Sequence, residues 1–265
     1  MRDGQDQATG LRRLFARDAL HVLSVRSAGD CGPTPVTLDL AAALGALGHR
    51  PLIVDLDRGQ VAIALGLKPR FELAHVLCGD KSITEVLLKC ENGVTVLPAT
   101  RGFENTALLG SWKWTLTELL RDARQTFNVW LLNGGAVPAA DTESPLVVIE
   151  PTRDAITGAY AQIKSLARLH GHREFRIVVD RAVSESSARS IYTTIAETSR
   201  RFLSARVDYC GYLPRDERPT SYRLAPRANS SDAQSPRACA FSRLAEAVVT
   251  AVPARTAQTA LNVGA

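Results

Sequence analysis

Short runs of valine, isoleucine and leucine alternate along this chain with segments of helical periodicity, and that alternation limits the fold more than any other feature. Residues 21–25 (HVLSV), 51–55 (PLIVD), 94–97 (VTVL), 129–132 (VWLL), 146–149 (LVVI), 176–179 (RIVV) and 207–212 (VDYCGY) read as strands. Helices are expected over 34–47, 107–124, 153–169, 186–202 and 236–252. Strands with few polar positions must be buried on both faces, which requires helices above and below them. The prediction is an α/β fold, a doubly wound, mostly parallel sheet of about seven strands. A chain of 265 residues, 45% apolar but only 6% aromatic, fills such a fold with an aliphatic core.

In doubly wound folds the ligand lies at the carboxyl ends of the strands, usually beside the loop after the first strand. Here that loop reads Ser27, Ala28, Gly29, Asp30, Cys31, Gly32, Pro33, Thr34. Strand, glycine-containing loop and helix follow one another as in a phosphate loop. Such a loop turns backbone N–H groups and a lysine toward the phosphates, and its Ser/Thr hydroxyl serves Mg²⁺. Pro33 stands where the lysine belongs, and it removes a backbone donor as well. Asp30 sets a negative charge where a glycine would admit phosphate. Thr34 keeps its place, and its expected role is a helix N-cap. Cys31 reads as a small filling residue.

Ahead of the first strand, residues 6–15 read DQATGLRRLF. Leu11, Leu14 and Phe15 recur at helical spacing, with Arg12, Arg13 and Arg17 elsewhere on the wheel. A helix of this length is marginal by itself and orders on docking. The segment resembles the DQAxxLR activation helix of the flagellar MinD/ParA-type ATPases called FlhG or FleN. Aligned with that family's G-K-G-G-V-G-K-T loop, Ala28 replaces the signature lysine that reaches across the ATP-bound dimer, and Pro33 replaces the phosphate-loop lysine. VDLDRG at 54–59 is similar to the family's I-D-x-D-x-G, so Asp55 and Asp57 match its acidic positions. PTRDAITGAYAQIKSL at 151–166 resembles P-x-x-x-S-x-x-D-A-Y-A-L-I-K, with Gly158 in place of an aspartate. Asn133 stands where the fourth strand should end in the Walker B aspartate, and asparagine binds divalent cations less well than carboxylate. Asp180 and Arg181 replace an adenine-contacting Asn-Lys pair.

The resemblance implies a regulator of flagellar number and placement whose ATP hydrolysis has been lost, a pseudo-ATPase. No cofactor is expected; ATP and Mg²⁺ enter only if the altered site still binds them. The implied partner is an FlhF-type GTPase, bound through Asp6, Gln7, Leu11 and Arg12, with Leu14 and Phe15 as apolar anchors. A flagellar transcription activator and an intact paralogue are further candidate partners, and homodimerisation is left open. One alternative is an active switch that dimerises on ATP. Another is a regulatory binding protein for the paralogue or the activator.

Boundaries are expected at an N-terminal activation helix (1–18), a MinD/ParA-like domain (19–252) and a flexible tail (253–265). The formal charge of +5 is arginine-rich without a dense basic block, so direct nucleic-acid binding is not expected. Five scattered cysteines lack C-x-x-C spacing and read as reduced thiols of a cytoplasmic protein. His170 and His172 read as structural rather than metal ligands. The last helix carries Phe241, Leu244, Val248, Val249 and Val252 on one side, with too few basic residues for a membrane-binding face, so core packing is expected there. Membrane association is expected to be weak or indirect, at most peripheral or polar through partners.

Overall fold

The computed structural model describes residues 20–29, 32–90, 93–100, 126–135, 144–215 and 235–250. Its centre is an eight-stranded sheet in the order β3-β4-β2-β5-β1-β6-β7-β8. The strands are β1 (His21–Ala28), β2 (Pro51–Asp55), β3 (Leu88–Lys89), β4 (Thr95–Pro98), β5 (Val129–Asn133), β6 (Leu146–Ile149), β7 (Glu174–Ala182) and β8 (Arg206–Pro214). All pairings are parallel except β3 with β4. The eighth strand is β3, an edge piece of two residues that periodicity does not reveal.

The helices are α1 (Thr34–Ala46), α2 (Gln60–Ala64), α3 (Leu73–Leu77), α4 (Ile83–Val86), α5 (Arg153–Leu169), α6 (Glu185–Leu203) and α7 (Pro236–Thr250). Side chains of a strand alternate between faces, and the core divides accordingly. Leu23, Val25, Ile53 and Val148 pack with Val36, Leu40 and Leu44 of α1 and Phe241, Leu244 and Val248 of α7. On the other face Val147, Ile149, Ile177 and Val179 meet Ile163 of α5 and Ile195 of α6. Val22, Leu52, Val54, Trp130 and Leu132 complete that face with Leu73 and Val86. Each such side chain contributes about 1.5–3 kcal/mol when fully buried.

Local chemistry sets the helix starts. Thr152 accepts the N–H of Ala155 over 3.2 Å, and Ser184 accepts that of Ser187 over 3.2 Å, capping α5 and α6. At α4, Ser82 and Glu85 form a reciprocal capping box. Helix α7 is held at both ends by β7. Arg237 in its first turn pairs with Asp180, while Arg176 donates to the Val248 carbonyl near its last turn over 3.2 Å. The apolar side of α7 is core, with Phe241, Leu244 and Val248 almost wholly buried; Val252 lies outside the described residues. Among the described residues no helix is long and apolar enough to cross a membrane.

The first strand runs further than the sequence reading, through Ala28 instead of stopping at Val25. Parallel pairing with β6 (Val25 to Leu146, Ala28 to Ile149) carries the polar Arg26 and Ser27 along. The connecting loop is therefore shorter, and Ala28 is a strand residue. The expected helix over 107–124 and the N-terminal helix lie outside the described residues.

Candidate functional site

Strand β1 lies between β5 and β6, while β2 is reached past β5, so the sheet's connections diverge at the carboxyl end of β1. Four polar side chains from β2, β5 and α1 meet there. The Asn133 amide nitrogen donates to the Thr34 hydroxyl over 3.0 Å and to Asp55 Oδ1 over 3.4 Å. Its carbonyl oxygen accepts the Thr37 hydroxyl over 2.9 Å. That hydroxyl is also 3.0 Å from the Pro33 carbonyl, so one proton is shared between two acceptors. With the amide turned the other way, its oxygen would face the Asp55 carboxylate, so the network fixes its orientation. Asn133 and Asp55 are fully buried.

Asp55 distributes its oxygens locally. They accept the backbone N–H groups of Asp57 (3.3 Å), Val61 (3.0 Å) and Ala62 (3.3 Å), which organises the turn into α2. Burial pushes its carboxyl above the usual range, and the bonds from Ala62, Asn133, Val61 and Asp57 oppose that shift. A divalent cation seeks oxygen ligands. In this group the atom facing both the Thr34 hydroxyl and the Asp55 carboxylate is an amide nitrogen carrying hydrogens.

Asp57 points toward the loop, with Oδ2 4.0 Å from where a β-carbon on Gly32 would stand. Glu150, after β6, borders the loop on the other side. Its Oε1 is 2.9 Å from the equivalent point on Gly29, whose φ is +140°. Two carboxylates therefore border the loop. One cation nearby is Arg26, whose guanidinium donates to the Gly135 carbonyl and feels the charge of Asp57. Burial lowers its pKa from the ordinary value, and Asp57 acts in the opposite sense.

Pro33 occupies the N-cap position of α1 in helical conformation, with no side-chain cap. Thr34 is the first helical residue and not the N-cap. Its hydroxyl serves Asn133 instead, because Pro33 has already taken the flanking place. Ser27 presents its carbonyl to the Gln162 amide of α5. Ala28 is buried on α5, 3.6 Å from the point where Gly158 would carry a β-carbon. Ala28 and Gly158, for which the resemblance implies a lysine and an aspartate, thus pack together here as two small residues. Asp180 is turned inward against Arg237, while Arg181 is exposed with φ +57°.

The structure thus brings together Ser27, Ala28, Gly29, Gly32, Pro33, Thr34, Asp55, Asp57 and Asn133 at the carboxyl ends of the central strands. Asp30 and Cys31 lie outside the described residues, as do Asp6, Gln7, Leu11, Arg12, Leu14 and Phe15. Sequence reasoning omitted Thr37, Glu150 and Gln162. The spacing of Thr34 and Thr37, three apart on one helix, carries a signal for the first. The other two depend on how β6 pairs with β1 and how α5 packs against it. His172 is buried in the core beside Phe175, with ring centroids 6.1 Å apart. Among the described residues no cluster of His, Cys, Asp and Glu has the makings of a metal site.

No family model matches the chain. It is 31% identical over 220 residues to the antiactivator FleN of Pseudomonas aeruginosa, covering 78% of each protein. It is 21% identical over 197 residues to the flagellum site-determining protein YlxH of Helicobacter pylori, covering 70% of this chain and 66% of that protein. Among solved structures, the MinD cell division protein of Aquifex aeolicus superposes with a TM-score of 0.66 at 21% identity. That match covers 89% of this chain and 99% of MinD.

Proposed function

We propose, for a chain that belongs to the FleN/FlhG family of MinD/ParA-type ATPases, that it regulates flagellar biosynthesis by binding partners rather than by hydrolysing ATP. Flagellar regulation follows from relatives named as an antiactivator and as a flagellum site-determining protein. The loss of hydrolysis is our reading of the site. Its single strongest support is the buried bond from the Asn133 amide to Asp55, at the strand end where a metal-holding aspartate is expected. Pro33 in place of a lysine argues the same way, because it removes both the ammonium and a backbone donor.

The output then falls to the N-terminal segment. Asp6, Gln7, Leu11 and Arg12 engage an FlhF-type GTPase, with Leu14 and Phe15 entering an apolar groove. That interaction needs no ATP turnover. Its test is GTP hydrolysis by FlhF with the full chain and with a form lacking residues 1–17. Stimulation by the full chain only is the expected result; equal stimulation by both forms overturns the assignment.

A further inference from the structure

We infer that the Asn133 carboxamide takes the place of a divalent cation in this chain, holding the ends of β2 and β5 and the start of α1 together without metal or nucleotide. A cation at this point would have to be bound by oxygens of Thr34, Asp55 and the residue at 133. In this protein the two N–H bonds of one amide already reach the first two, at 3.0 and 3.4 Å. The partial positive charge of that NH₂ group faces the Thr34 lone pair and the Asp55 carboxylate, as a cation would. The amide oxygen is occupied by Thr37.

Little acceptor capacity is left over. Asp55 is 0% exposed and also receives the N–H groups of Asp57, Val61 and Ala62. A metal entering here would have to break hydrogen bonds inside a buried group, in which Asp55, Asn133 and Thr37 are 0% exposed and Thr34 is 7% exposed. The next acidic side chain, Asp57, faces an internal cation, Arg26, which is tied to the turn at Gly135. Asn133 is thus a positioning residue, and the arrangement it sets is permanent rather than dependent on loading.

This inference rests on the functional reading only in taking the site as free of ATP chemistry. Its test uses cations without nucleotide, so its failure is separate from a failure of the FlhF assay. Mn²⁺ is titrated into wild type and N133D, with free Mn²⁺ followed by electron paramagnetic resonance. Thermal melting is measured in parallel with and without Mg²⁺. Wild type is expected to bind no Mn²⁺ at this site and to melt at the same temperature in both conditions. N133D opposes two carboxylates, so it is expected to melt lower in chelator, to bind one Mn²⁺, and to regain on the order of 5 °C with saturating Mg²⁺. Stoichiometric Mn²⁺ binding by wild type that N133A abolishes would overturn the inference. So would an N133D protein that neither gains Mn²⁺ binding nor responds to Mg²⁺, including one that stays unfolded in its presence.

Discussion

Arg237 Nη1 donates to Asp180 Oδ1 over 2.8 Å, with the two side chains only 13% and 5% exposed. The same nitrogen bonds the Pro214 carbonyl over 2.7 Å, and the guanidinium lies 5.2 Å from the centre of the Phe241 ring. One arginine thus fastens α7 to the ends of β7 and β8. Asp180, for which the resemblance implies an adenine-contacting position, is part of this structural clamp.

Breaking a buried pair from one side leaves the other charge without compensation. R237A is therefore expected to destabilise the fold by about 2–4 kcal/mol in chemical denaturation. R237K should recover part of this, since lysine restores the charge but not the planar fork. Equal stability of wild type and R237A would show that the clamp contributes nothing.

The turn after β5 is closed to side chains. A β-carbon on Gly134 would come within 2.8 Å of Asp57 Cβ, and the φ of Gly134 is +73°. G134A combines a clash with a left-handed backbone, so a loss of about 2–3 kcal/mol is expected. A control at Gly79, where nothing lies within 4 Å but φ is +79°, isolates the backbone cost. That control should lose only about 1 kcal/mol.

Asn133 gives a pH signature. Burial raises the Asp55 carboxyl, so the folded state takes up its proton more readily than the unfolded chain. The charged form therefore costs stability above the folded pKa, and that cost is relieved as the pH falls toward the ordinary carboxylate value. N133A removes one bond that favours the charged form. Its destabilisation, about 1–3 kcal/mol at neutral pH, should shrink on acidification, as read from urea midpoints across the range. A constant difference with pH would contradict the assignment of this bond to the ionised carboxylate.

Thiol chemistry separates the described cysteines. Burial pushes the Cys210 thiol up to about 11, against the opposing charge of Arg176. Its thiolate fraction at neutral pH is then on the order of 10⁻⁴, and alkylation should be slow. Cys78 and Cys239 are exposed and should be modified first. Peptide mapping after brief alkylation checks the order; early modification of Cys210 in the folded protein would contradict it.

How much of this was legible before the structure varies residue by residue. Strands β2 and β6 and helix α5 have the limits that the residues predict, because an apolar run or a capping threonine marks each end. The polar end of β1 was hidden, since Arg26 and Ser27 interrupt the apolar run and only pairing with β6 reveals them as strand. Helix α2 was invisible for a related reason: its N–H groups are bound by Asp55, six residues before Val61. At the site, sequence showed which residues had changed but not what they do now. Asn133 could be read as a lost carboxylate; that its amide joins Thr34 to Asp55 depends on three elements meeting in space.

Calorimetric titration of the whole chain with ATP and Mg²⁺, followed by a phosphate-release assay, decides whether this site supports ATP chemistry. No micromolar binding and no turnover above buffer are expected. Micromolar, Mg²⁺-dependent binding with phosphate release would contradict that expectation and would require another cation, Arg26 foremost, to serve the phosphates.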